Sequence, residues 1–280
     1  MRKVMPRIVV SVSVLAIMSV VDVIGLSGPS GFASGADGPF FSYSQFLSAD
    51  KRRILAELKA TQPDPAEKLD RTILDLLKAL NKVNNFSSEF FWAEGHGAFA
   101  HPQAGIGLDR RQLADFEKRT SFTNFTEVIN LVLAHEHAHM AQFKVYSRES
   151  FVDPTKKRAI ECQADLLGGM SVVFTAVMTK SLASVVEEKF ESWVRFANLI
   201  GSPTWDDQSQ HPRPEQRLRC ITLGFLAALQ VVDMDTVRRT NDQDAKQRVE
   251  TARKRNPNMI KEKEDVFDWS NREVKKIVGF

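Results

Sequence analysis

The chain has 280 residues, 43% of them hydrophobic and 26% charged, with a formal net charge of +3. This suits one globular domain, or a domain with an appendage. The charge gives no support for nucleic-acid binding: residues 1–36 hold three basic groups and one acid, and without them the formal charge falls from +3 to +1.

Arg2, Lys3 and Arg7 precede an apolar run over residues 8–20, broken only by Ser11, Ser13 and Ser19, and small residues follow at 31–36. This pattern predicts a secretory signal peptide over residues 1–36. The alternative is an N-terminal membrane anchor over residues 8–26, which would bring the protein close to a membrane. Asp22 and the small-residue segment favour cleavage, and the lack of a nearby Cys excludes a lipoprotein anchor.

A Gly-, Ser- and Pro-rich lead-in occupies residues 27–39. Helical periodicity then marks residues 48–60 and 66–83, separated by Pro63 and Pro65, with Leu69, Ile73, Leu76, Leu77 and Leu80 on one face. Residues 86–107 turn aromatic and glycine-rich and predict strands with a hairpin; His96 and His101 are expected there as loop residues. Asn124 and Glu127 open a helix, as a capping-box variant, that should run to about Tyr146. Asp153-Pro154 starts the next helix, directed towards Lys180. Its Gly168 and Gly169 cost helix propensity, which close approach to the preceding helix would offset. Further helices are predicted over residues 182–200 and 215–232. From Asp233 onward alternating charges predict solvated helices, with a small anchor from Val266, Phe267, Trp269, Ile277 and Val278. The two cysteines, Cys162 and Cys220, fit either a disulfide or a buried pair, and core packing is expected of Cys162.

Chemistry concentrates in His135-Glu136-His137-Ala138-His139 and Glu161-Cys162-Gln163-Ala164-Asp165. On a helix His135 and His139 lie about 40° apart and can reach one ion. Two imidazoles followed by a carboxylate, Glu161, make a catalytic zinc site with one position open, and Glu136 is placed to take a proton from water. Asp165, one turn beyond Glu161, can accept a hydrogen bond from a ligand histidine. His137 points away from the ligand face and should be packed or hydrogen-bonded.

The two motifs together resemble those of the gluzincin metallopeptidases, and more narrowly the HtpX and BepA-like branch (metallopeptidase family 48). Gly97-Ala98-Phe99-Ala100-His101-Pro102 resembles the strand along that family's cleft, and His211-Pro212-Arg213-Pro214-Glu215-Gln216-Arg217-Leu218 its His-Pro segment. The resemblance spans four ordered patches between residues 97 and 218. It implies zinc ligands His135, His139 and Glu161, Glu136 as base, Asp165 behind His135, and His211 and Arg217 near the open position, steadying an oxyanion or blocking the site at rest. Gly97 where the family carries Asn, His101 in place of an aliphatic residue, and the lack of paired transmembrane spans depart from its pattern.

The expectation is therefore a mainly α fold with a small β element (α+β): a signal at 1–36, a metallopeptidase domain at 37–232 and a charged helical extension at 233–280. Its function would be that of an exported Zn2+-dependent endopeptidase, periplasmic or envelope-associated, hydrolysing peptide bonds of cell-envelope proteins, in quality control by analogy. The alternatives are a zinc-binding chaperone or adaptor of the same fold, and a secreted metallopeptidase acting on foreign proteins. The partner is a protein or peptide substrate and not nucleic acid.

Overall fold

A computed structural model describes residues 48–120, 125–147, 150–151, 153–178, 212–240, 243–255, 260 and 265–279. The signal or anchor segment, the Asn124 cap and the helix expected over 182–200 lie outside these residues.

Helices α1 (Ser48–Glu57) and α2 (Lys68–Val83) come first. Of the apolar stripe read from the sequence, Ile73, Leu77 and Leu80 are buried together with Val83, while Leu69 and Leu76 are partly buried against the same core. Three short strands follow, β1 (Phe90–Trp92), β2 (Phe99–His101) and β3 (Gly105–Leu108), in sheet order β1-β3-β2. β2 and β3 form an antiparallel hairpin with Phe99 opposite Gly107, and β1 runs parallel to β3 with Phe91 opposite Gly107. Gly107 leaves room for the Phe99 ring, since a Cβ there would lie 2.5 Å from it and the ring would have to move. Among the described residues β2 lies at the edge of the sheet.

Helix α3 (Arg110–Thr120) was not anticipated. Its start is fixed by Asp109, whose carboxylate accepts from Arg111 N at 2.8 Å and Gln112 N at 3.3 Å, and it buries Leu113 and Phe116. Four longer elements then complete the chain with α8: α4 (Phe125–Gln142), α5 (Pro154–Met178), α6 (Pro214–Thr240) and α7 (Gln243–Arg255), followed by α8 (Val266–Val278). The fold is mainly helical with one small sheet, an α+β arrangement.

α4, α5 and α6 form the centre, and glycines let them close on one another. A Cβ on Gly168 would sit 3.2 Å from His135 N, so this glycine does face the preceding helix. Gly169 faces α6 instead, with Ile221 O 2.4 Å from the place of its Cβ, and Gly224 returns the contact with Leu166 O at 1.9 Å. The expectation that both glycines serve the α4 contact holds for Gly168 and fails for Gly169, because adjacent helical positions point about 100° apart.

α6 and α5 are also joined covalently, by a disulfide between Cys162 and Cys220, both fully buried. Of the two alternatives left by the cysteine count, the structure has the bridge.

α6 continues through residue 233 without a break to Thr240. α7 presents Asp244, Lys246, Gln247 and Glu250 to solvent. α8 behaves differently: Val266, Trp269 and Val274 are buried in the core, Asp265 caps its first turn, and Gly279 closes it at φ 78. The expected anchor is there, with Val266 and Trp269 buried and Phe267, Ile277 and Val278 packed against the core, but it extends further than expected, because Val274 and the polar Ser270 and Glu273 are buried as well. Among the described residues no helix is long and apolar enough to cross a membrane.

Candidate metal centre

α4 is apolar or buried on both sides, with every residue from Leu131 to Met140 inside the protein. One side packs on α2 and α5; the other forms the floor of a cleft. This explains why the helix carries so little amphipathic pattern.

On the cleft side His135 and His139 meet Glu161 from α5. His135 Nε2 lies 3.1 Å from His139 Nε2 and 3.3 Å from Glu161 Oε2, and His139 Nε2 lies 3.5 Å from Glu161 Oε1. Tetrahedral bonds of about 2.0–2.1 Å to nitrogen or oxygen imply donor–donor edges of about 3.3 Å. The three separations bracket that value. All three residues are buried, and they form a group able to hold a metal ion.

The outer ring nitrogens show what the inner ones offer. His135 Nδ1 is 2.9 Å from Asp165 Oδ1, a pure acceptor, so Nδ1 carries a proton. His139 Nδ1 is 2.7 Å from Gln142 Oε1; the amide is oriented by its Nε2, which donates to Ile160 O at 2.9 Å and Gln163 Oε1 at 2.8 Å. His139 Nδ1 is therefore protonated as well. In the neutral rings both Nε2 atoms present lone pairs towards each other and towards a carboxylate, which only a positive charge between them stabilises.

Electrostatics agree. Burial alone would lower the His135 pKa, but the charge and hydrogen bond of Asp165, with the contact to Glu161, outweigh it and hold the ring up at about 10. The site thus attracts a cation strongly, and a metal ion competes with a proton for it.

Glu136 is buried and lines the same cleft. Burial pushes its carboxyl above the usual carboxylate range, partly offset by the charges of His135 and His139. Among the described residues its side chain makes no hydrogen bond or ion pair.

Arg217, on α6, is 2% exposed. Its Nε and Nη2 donate to the two oxygens of Asp165 at 2.8 and 2.7 Å, a bidentate pair behind His135. The sequence reading put Arg217 beside the open position; two of its nitrogens are taken up by Asp165, although the side chain also lines the cleft. Burial would raise the Asp165 pKa, but Arg217 and His135 hold it below the usual range. His211 lies outside the described residues.

His137 is fully buried on the opposite side of α4, with Nε2 2.9 Å from Asn81 Oδ1 and Nδ1 3.0 Å from Asn84 Nδ2. It is hydrogen-bonded and no ligand, as expected. His101 belongs to β2 instead of a loop, and its Nδ1 accepts from Gln103 N and Ala104 N at 3.1 and 3.2 Å.

The cleft has a volume of about 500 Å³, walled by Ala98 and the β2 residues Phe99 and Ala100 and by Phe116, Phe143 and Phe151. Sequence reasoning missed Gln142 and Gln163. For Gln142 a signal existed: it follows His139 by three residues on a helix, where a side chain can reach the ring.

No family model, no curated protein and no solved structure matches the chain.

Proposed function

We propose that this protein is a zinc-dependent endopeptidase, exported to the cell envelope, that hydrolyses peptide bonds of envelope proteins presented as extended chain. The observation that carries the proposal is the convergence of three buried donors, His135, His139 and Glu161, beside the buried carboxylate of Glu136, in one cleft. Two imidazoles with one carboxylate suit zinc better than magnesium or calcium, which prefer all-oxygen shells.

Bound there, zinc supplies Lewis acidity that lowers the pKa of a coordinated water and polarises a carbonyl. The chain's residues do the rest. Glu136, its carboxyl raised by burial, takes a proton from the attacking water and passes it to the leaving amine. Asp165 and Gln142 hold the two imidazoles in the tautomer that leaves Nε2 bare. β2, an edge strand among the described residues, runs along the cleft, where an extended peptide adds to it as a further strand. The aromatic walls exclude water from the reacting bond and accept apolar side chains. Export is supported by the basic and apolar N-terminus and by the disulfide, which persists in oxidising compartments. The gluzincin likeness of the four sequence patches points the same way.

The test is casein hydrolysis by wild-type protein and Glu136→Gln, with metal analysis of both and with added chelator. Cleavage is expected from the wild type alone, lost with chelator, with about one zinc per chain in both proteins. Zinc-loaded wild type that cleaves no unfolded protein would favour an adaptor in place of an enzyme.

A further inference from the structure

The metal ligand His139 sits at one end of a chain of buried hydrogen bonds whose other end is the C-terminal helix. His139 Nδ1 donates to Gln142 Oε1 at 2.7 Å, Gln142 Nε2 donates to Gln163 Oε1 at 2.8 Å, and Gln163 Nε2 donates to Ser270 Oγ at 2.7 Å and Asn271 Oδ1 at 3.0 Å. Gln142 and Ser270 are fully buried and Gln163 is 1% exposed. Tyr146 braces the middle: its hydroxyl is 2.8 Å from Gln163 Oε1 and 2.6 Å from Asn271 Oδ1, and its single proton serves these two acceptors.

The chain has a direction. Ser270 Oγ gives its proton to Phe267 O at 2.9 Å, so it can only accept from Gln163. That fixes the Gln163 amide with nitrogen towards α8 and oxygen towards Gln142. Gln142 must then present its nitrogen to Gln163, which the carbonyl of Ile160 reinforces, and its oxygen to His139. A flip of either amide would set donor against donor in a buried setting, at a cost of about 1–3 kcal/mol for each unsatisfied group.

We infer that Ser270 and Asn271 on α8 are positioning residues for the metal centre, setting the tautomer and ring orientation of His139 through Gln163 and Gln142. α8 is thereby a working part of the site and no detachable extension. The inference rests on the reading of His135, His139 and Glu161 as metal ligands.

The test compares wild type, Ser270→Ala, Asn271→Leu, the double variant, Asn271→Asp and Val274→Ala. Zinc affinity is read by competition with a chromophoric chelator, and ligand geometry from the visible absorption of the Co2+-loaded proteins. Val274 is buried on the same helix, so its truncation loosens α8 without touching the hydrogen-bond chain. Zinc binding should weaken by about 10-fold or more in the double variant, less in each single variant, with a changed Co2+ spectrum. Asn271→Asp keeps the acceptor and should stay near wild type, and Val274→Ala should do so despite a lowered Tm. Unchanged affinity and spectrum in Ser270→Ala and Asn271→Leu would overturn the inference, and so would an equal loss in Val274→Ala. If the double variant does not fold, the single variants are judged by the same two readouts. A wild-type protein that binds no zinc would instead overturn the metal site itself.

Discussion

Arg217 grips both carboxylate oxygens of Asp165, at 2.8 and 2.7 Å, with the two groups 2% exposed each. Asp165 Oδ1 then faces the His135 ring at 2.9 Å, so α6 reaches the candidate metal centre through a carboxylate on α5.

Removing the guanidinium should be costly in two ways. Arg217→Met leaves a buried carboxylate with half its partners, and breaking such a pair costs about 3–5 kcal/mol. It also lets the Asp165 pKa rise, which weakens its hold on His135 and should lower zinc affinity by about 10-fold or more. Lysine should not rescue either effect, since it cannot make the two-pronged contact. Thermal unfolding and zinc competition read the two separately.

The Cys162–Cys220 bridge ties the same two helices one position after Glu161 and three after Arg217. Closing a separation of 58 residues stabilises the fold by about 4 kcal/mol in the chain-entropy account. Cys162→Ala with Cys220→Ala should lower the Tm markedly and make zinc easier to strip with chelator. An unchanged Tm would show that the bridge does not form.

Gly224→Ala probes the α5–α6 contact, because its Cβ would fall 1.9 Å from the backbone oxygen of Leu166. The helices must part, with a loss of roughly 1–3 kcal/mol seen as a lower denaturation midpoint. Gly279→Ala meets no neighbour but takes on strain at φ 78, so it should cost less.

His137 makes the fold acid-sensitive. Burial, with the charge of Lys144, lowers its pKa from 6.5 to about 3. Between those values the unfolded chain binds one more proton than the folded one. Stability is therefore full above pH 6.5 and falls as pH drops towards 3, by about 1.4 kcal/mol per unit. His137→Gln, which keeps a donor and an acceptor for Asn81 and Asn84, should flatten the stability–pH slope by about one proton between pH 6 and 4. Equal slopes would contradict the buried neutral ring.

The grouping of His135, His139, Glu161 and Asp165 was legible because each motif puts its polar side chains one helical turn apart, so local spacing carries three-dimensional information. Gln142, Gln163, Ser270 and Asn271 were not legible, since their role depends on which amide faces which across α4, α5 and α8. Arg217 entered only through family likeness; nothing in its own spacing pairs it with Asp165, 52 residues away. The disulfide could not be told from a buried thiol pair by counting. α3 was missed because its charged surface hid a cap at Asp109 and an i, i+3 pair, Leu113 and Phe116. The α8 anchor was legible in Val266 and Trp269, but the burial of Ser270 was not, because its partner Gln163 lies 107 residues away.

X-ray absorption at the zinc edge of the purified, zinc-reconstituted protein tests the central claim most directly. The account predicts one ion per chain, with imidazole scattering from two histidines, nitrogen and oxygen neighbours at about 2.0–2.1 Å, no sulfur shell at about 2.3 Å, and loss of the bound ion in His139→Ala. A sulfur shell, or the same spectrum from Glu161→Ala as from wild type, would contradict it.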